Sequence, residues 1–138
     1  AIMPTLMVML GSQAFAFPLV NVNEIFHLDL SRTNIVDGQE VVIVRDKALP
    51  LFYLKNWLLP KQVHADQVEG HVVILTVGNQ RIGCVVDQLV GQEEVVIKPL
   101  GRMLHGTPGM AGATITGDGR IALILDIPGL LKNYGQRY

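Results

Sequence analysis

Apolar and polar residues alternate along this chain in short runs separated by glycine-bearing turns, a pattern with the two-residue period of half-buried strands. Leu6–Leu10, Ala14–Leu19, Gln39–Val44, Leu49–Tyr53, His71–Val77, Arg81–Leu89, Glu93–Lys98, Ala113–Thr116 and Arg120–Leu125 are rich in β-branched and aromatic residues and predict nine strands. Tight turns are expected at Gly11-Ser12-Gln13, Asp46-Lys47, Gly78-Asn79-Gln80 and Gly117-Asp118-Gly119. Helix is sparse: one or two turns over Val20–Phe26, another over Leu54–Leu59 before Pro60, and a terminal helix over Ile127–Tyr134. Asp126 is placed to cap that last helix, with Pro128 in its first turn.

The pattern occurs twice. Leu6–Val22 lies over Val73–Leu89 without a gap, Gly11 on Gly78 and Gln13 on Gln80, at an offset of 78 − 11 = 67. Val41–Leu54 lies over Ala113–Asp126, Asp46 on Asp118, at 118 − 46 = 72, so about five residues are inserted between the blocks. A period this long exceeds the roughly 20–50 residues of solenoid repeats and implies two copies of a small unit. Many short strands joined by tight turns suit barrels, whose closure removes exposed edges. The expected architecture is all-β: two tandem five-stranded barrels with a few short helices, within one domain spanning 1–138. The first barrel is expected over 6–60, open to completion by the C-terminal segment, and the second over 71–126. A polar linker at 60–70 separates them, 127–138 forms a helix and tail, and the glycine-rich stretch 100–112 reads as a surface loop.

Each copy, at about 65 residues, is near the lower limit for a self-sufficient core, so the two should support each other. With 49% hydrophobic and 17% charged residues the surface must be partly apolar, which favours protein partners. Net charge is −1 with lysine and arginine scattered, and aromatics make up only 6%, so an oligonucleotide-binding barrel is the weaker alternative. Cys84, the single cysteine, sits in an apolar run and reads as a buried small hydrophobe, which fits a reducing compartment. No apolar stretch reaches the 18 or so residues needed to span a bilayer. The opening AIMPTLMVML lacks a signal-peptide pattern and reads as the cut edge of a longer protein.

Chemistry is thin. His27, His64, His71 and His105 show none of the short spacings that put two ligands on one helix or hairpin face, and no metal or cofactor site is expected. The glycines at 101 and 106 lack the lysine of a phosphate loop, and Gly117-Asp118-Gly119 is a hairpin turn. An enzyme or sensor in the cleft between the copies would lack a polar cluster to act. Met3, Met7 and Met9 read as core packing rather than an adaptable binding face, and Trp57 as a half-buried anchor. Glu24 and Arg45 are either a bidentate ion pair or two unrelated surface charges; spacing alone does not prefer the pair.

The strings VVDQLVGQEEVVIKPLG (85–101) and GATITGDGRIALILDIPGLL (112–131) resemble the C-terminal regulatory domain of the chemotaxis histidine kinase CheA. From about Leu6 to Tyr134 the chain is similar to the CheW-like domain, and Val22-Asn23-Glu24-Ile25, with Arg45 five residues before Pro50, is also similar to the stand-alone adaptor CheW. The resemblance implies two SH3-like barrels in a non-catalytic module that docks the adaptor and the chemoreceptor tip. It further implies contact with other domains of the same kinase and a cytoplasmic place at membrane-associated receptor arrays, without insertion into the bilayer. It also implies that Glu24 and Arg45 face each other, although Asp46 stands where the adaptor has glycine. The second-half strings favour the kinase domain over a stand-alone adaptor. On this reading Ile25, Phe26 and Leu28 in the first copy, and Val90, Gln92 and Val95 in the second, are the expected partner contacts. Phe26→Asp is accordingly expected to weaken adaptor binding with little change in melting temperature.

Overall fold

A computed structural model describes residues 2–60, 69–99 and 109–134. The hairpin of β1 (Ile2–Leu10) and β2 (Gln13–Pro18) carries no charged residue, because both of its faces are covered. After a 3-10 turn at Leu19–Asn21 come β3 (Val22–Asp29), a second 3-10 turn at Leu30–Arg32, β4 (Asn34–Val36), β5 (Gln39–Val44), β6 (Lys47–Tyr53) and α1 (Leu54–Leu58). Then follow β7 (Glu69–Val77), β8 (Gln80–Val86), β9 (Gln88–Val96), β10 (Met110–Ile115), β11 (Ile121–Leu125) and α2 (Ile127–Tyr134).

One sheet runs β10-β11-β2-β1-β9 and the other β3-β7-β8-β6-β5-β4. The first closes on itself through Lys98 and Ala113, which exchange backbone hydrogen bonds of 2.8 and 2.9 Å. Each sheet holds one parallel pair, β2 with β11 and β6 with β8. The expected all-β architecture of two barrels with few helices is the one observed. Its strands, however, are exchanged between the sequence copies. The hairpin β1–β2 is completed by β9, β10 and β11 of the second copy, and the hairpin β7–β8 by β3 to β6 of the first. The boundaries 6–60 and 71–126 therefore cut through both sheets. One barrel is the continuous stretch from Val22 to Val86; the other joins Ile2–Pro18 to the chain from Gln88 onward.

Alternation within the strands sorts the core into three layers. Met7, Ala14, Ala16, Val95, Ala122 and Ile124 fill the first barrel, with Met3 and Met9 partly buried against them, so the methionines pack the core. Val42, Leu49, Leu51, Val72, Ile74 and Val85 fill the second. The largest cluster lies between the barrels, where Leu6, Val8, Leu10, Phe15 and Phe17 meet Val73, Leu75, Ile82, Cys84 and Val86. Leu54 of α1 with Ile127 and Leu130 of α2 close this layer. Trp57 stacks on Tyr134 at 5.5 Å and packs on Phe52 at 4.9 Å, the half-buried anchor expected. Each fully buried Val, Leu, Ile, Phe or Met among them stabilises the fold by about 1.5–3 kcal/mol before entropy is counted.

Asp87 marks the crossover from β8 to β9. Its carboxylate accepts from the Gly11 N–H at 2.6 Å and pairs with Lys55 Nζ at 2.9 Å, and its own N–H donates to the Met9 carbonyl at 3.0 Å. One side chain thus ties the turn of the first barrel to the helix that leaves the second.

Two expectations about local structure change. Val20–Phe26 is not helical beyond Asn21, and Val22–Asp29 is a strand whose burial alternates residue by residue. The repeat holds at 67 through the first hairpins and at 72 through β5 and β10, but slips by one after the next turn. Leu51 pairs with Gly83, and its counterpart Ile124 with Ala16, giving 124 − 51 = 73. The extra turn residue restores the inward face that a gapless alignment would reverse. The expected linker at 60–70 and loop at 100–112 lie largely outside the described residues.

Candidate protein-docking surface

Gly11 and Gly78, matched in the repeat, both adopt positive φ, 60° and 62°, so each opening hairpin turns in the same way. The following strands carry a β-bulge at the same place. Pairing shifts between Val22 and Glu24 in β3 and between Leu89 and Gly91 in β9, leaving Asn23 and Val90 as the bulged residues, 90 − 23 = 67. A bulge twists its strand and re-aims the side chains beside it. The bulge lies at a mouth beside the β5–β6 turn in the second barrel and beside the β10–β11 turn in the first.

At the mouth of the second barrel Glu24 and Arg45 meet. Arg45 donates from both terminal nitrogens to the two carboxylate oxygens of Glu24, a fork geometry available to arginine alone. The hydrogen bonds from Arg45 hold the Glu24 carboxyl below its usual range, with a further pull from Arg81, and the same bonds raise Arg45. Arg45 and Asp46 form the turn with φ of 50° and 65°, a left-handed pair that costs energy in residues other than glycine. Val44, Leu49 and Ile74 floor a depression of about 120 Å³ beneath the ion pair. In the first barrel the corresponding depression, about 250 Å³, is floored by Met7, Met9 and Ala14 and rimmed by Val90, Gly117 and Arg120.

The expected contact residues divide by face. Ile25 is 39% exposed, Val90 is 56% exposed and Gln92 is exposed, all available to a partner. Phe26 and Leu28 point inward, half-buried against the core of the second barrel, and Val95 is buried among the methionines of the first. Val95 is therefore a core residue, and Phe26→Asp would place a carboxylate against apolar side chains, so the melting temperature would fall. The bulges decide this: one extra residue reverses which neighbours face in.

Other exposed apolar residues escaped the sequence reading. Ile43 on β5 is 53% exposed and Ile115 on β10 is 57% exposed, and they are equivalent, 115 − 43 = 72. Each faces outward beside its cross-strand partner, Ala48 for Ile43 and Ile121 for Ile115. Val36 of β4, paired with Gln39 on the same side of the sheet as Ile43 and 52% exposed, extends the patch on the second barrel. The signal was in the repeat itself, which keeps isoleucine at a solvent-facing position in both copies. Sequence spacing also missed His27 and His71, which are direct cross-strand partners with ring centroids 5.0 Å apart.

Little in this surface supports bond-making chemistry. Cys84 is enclosed, and burial pushes its thiol up to about 12, which keeps it protonated and inert. Among the described residues no three metal-ligating side chains converge. No helix among them is long and apolar enough to cross a membrane.

The fold defined here, two interlocked β-barrels with matched mouths and matched apolar faces, is that of an interaction module. Residues 4–134 match the CheW-like domain model, and the chain belongs to the CheW-like domain family. It is 39% identical over 131 residues to the sensor histidine kinase CheAY of Helicobacter pylori, covering 95% of this chain and 16% of that protein. It is 36% identical over 135 residues to the chemotaxis protein CheA of Treponema pallidum, covering 96% of this chain and 16% of that protein. With CheA of Bacillus subtilis the identity is 32% over 131 residues, covering 95% and 20%. The chain thus spans between a sixth and a fifth of the length of these relatives. The scaffolding protein TtCheW of Thermoanaerobacter tengcongensis shares the fold at a TM-score of 0.81 and 18% identity, covering 100% of this chain and 98% of that one.

Proposed function

We propose that the chain is the non-catalytic regulatory and scaffold module of a chemotaxis histidine kinase, docking a CheW-type adaptor and the cytoplasmic tip of a chemoreceptor. The carrying observation is the repetition of one exposed apolar feature, Ile43 and Ile115, on equivalent faces of two barrels of one design. A partner built of the same barrels has complementary faces of the same kind, and about 800 Å² per partner suffices for a specific contact. Ile25, Val90 and Gln92, at or near the bulges, and the Glu24–Arg45 mouth are then the rim. Long matches to kinase relatives support the kinase module over a stand-alone adaptor, and the net charge of −1 supports a protein partner over nucleic acid. Such a module works in the cytoplasm at receptor arrays.

Calorimetry of this chain with the adaptor of the same cell tests the reading. Ile43→Asp or Ile115→Asp should each weaken a contact by about 2 kcal/mol, roughly 30-fold, as central interface residues do. Melting temperatures should stay within the small range of surface substitutions. Unchanged adaptor affinity in both variants refutes the assignment of the faces. Tighter binding to the CheW-like domain of that cell's kinase than to its adaptor points to the stand-alone adaptor instead.

A further inference from the structure

The outer face of β3 and β7 carries His27 directly opposite His71, although the two lie 71 − 27 = 44 residues apart in sequence. Their rings meet edge to face, centroids 5.0 Å apart and planes at 69°. His27 is exposed and His71 half-buried, so both imidazoles are within reach of solvent. The next cross-strand pair is Asp29 with Glu69, two residues along each strand and therefore on the same face. The Asp29 carboxylate is already held by the Ser31 N–H at 3.0 Å and by Arg32 at 3.4 Å.

We infer that His27 and His71 form a two-imidazole site for a divalent late transition-metal ion of the zinc, nickel or copper kind. The argument is one of distance. A metal–nitrogen bond of about 2.05 Å, added to roughly 1.1 Å from ring nitrogen to ring centre, puts each centroid about 3.2 Å from the ion. Two such rings at a tetrahedral angle have centroids about 5.2 Å apart, and at the right angle of a square-planar ion about 4.5 Å. The observed 5.0 Å lies between these values, so ligation requires rotation of the rings and no movement of the strands. Imidazole selects these metals over magnesium or calcium, which prefer oxygen ligands. Water completes the coordination, since no third ligand is converged among the described residues. Because β3 belongs to the first sequence copy and β7 to the second, a bound ion crosslinks the two copies within one barrel.

The test is titration of the untagged chain with Zn²⁺ alone, followed by long-range ¹H–¹⁵N spectra of the histidine side chains and by calorimetry. His27 and His71 should shift together and saturably at one ion per chain. His27→Gln and His71→Gln should each weaken binding by more than about tenfold, since loss of even an outer partner of a ligand costs that much. A His64→Gln, His105→Gln double variant should bind as the parent does. The inference is overturned if Zn²⁺ does not bind saturably, if His64 or His105 shifts in place of the pair, or if the single variants keep the parent affinity. The wild-type spectra decide the matter even where a variant fails to fold.

Discussion

Phe17→Ala tests whether the layer between the barrels holds the molecule together as one cooperative unit. Phe17 is fully enclosed, opposite Leu6 on the hairpin of the first barrel, within the cluster that includes Val73, Leu75 and Val86 of the second. Removing a buried phenyl ring costs about 3–5 kcal/mol in lost transfer energy and residual cavity. With a melting entropy of about 2.1 cal/mol/K per residue, 138 residues give roughly 0.29 kcal/mol/K, so the midpoint should fall by about 10–17 °C. Both barrels should melt in the same transition, because each lends an outer face to this layer. Differential scanning calorimetry with amide exchange read strand by strand measures both quantities. A fall of less than about 4 °C would refute the burial argument, and two resolved transitions would refute the single unit.

Asp46→Gly should stabilise the fold by about 0.5–1 kcal/mol, a rise of about 2–3 °C in the midpoint, because the left-handed turn at φ 65° suits glycine; a lower midpoint would mean that the Asp46 side chain contributes more than its strain costs. The Glu24 carboxyl is lowered in the folded state, so its contribution is present above the unfolded carboxylate range and lost as pH falls through the lowered value. The stability gap between the parent and Glu24→Gln should therefore narrow from pH 7 to pH 3, and a double-mutant cycle with Arg45→Ala should show coupling; a pH-independent gap with zero coupling removes the pair. Cys84 should resist an aromatic disulfide reagent in the native state and react only at the unfolding rate, whereas reaction at the speed of a free thiol would contradict its enclosure.

Much of the fold was legible because strand period and turn chemistry are local. The matched Gly11 and Gly78 take nearly the same φ, and Leu54–Leu58 and Ile127–Tyr134 became helices where expected. Completion of the first barrel by the C-terminal segment was open from sequence, but the reciprocal exchange that joins β7 and β8 to β3–β6 was not legible, since hairpins identify their own partners but say nothing of the third strand. Leu19, Val22, Ile25 and Phe26 fall at three- and four-residue spacings that suit a helical turn, while pairing with β7 makes Val22–Asp29 a strand. Within the candidate surface, Ile25, Val90 and Gln92 face solvent, as the expected contacts must, but the bulges at Asn23 and Val90 hid the inward turn of Phe26, Leu28 and Val95. The Glu24–Arg45 fork was suggested by family resemblance and not by spacing; its geometry depends on a turn 21 residues away.

The continuous stretch Val22–Val86 and the divided barrel around it impose an order on vectorial synthesis. The inner barrel has all its strands once Val86 has left the ribosome, whereas Ile2 must wait for Val96, its partner 96 − 2 = 94 residues later, and β2 for β11. During that interval Phe15 and Phe17 can lie only against the outer face of β7 and β8, so the inner barrel acts as a template on which the opening hairpin is stored. Nascent chains stalled with Val86 just emerged from the ribosome, probed by protease, should show β3–β8 protected before β1 and β2, and protection in the reverse order would contradict a stored hairpin.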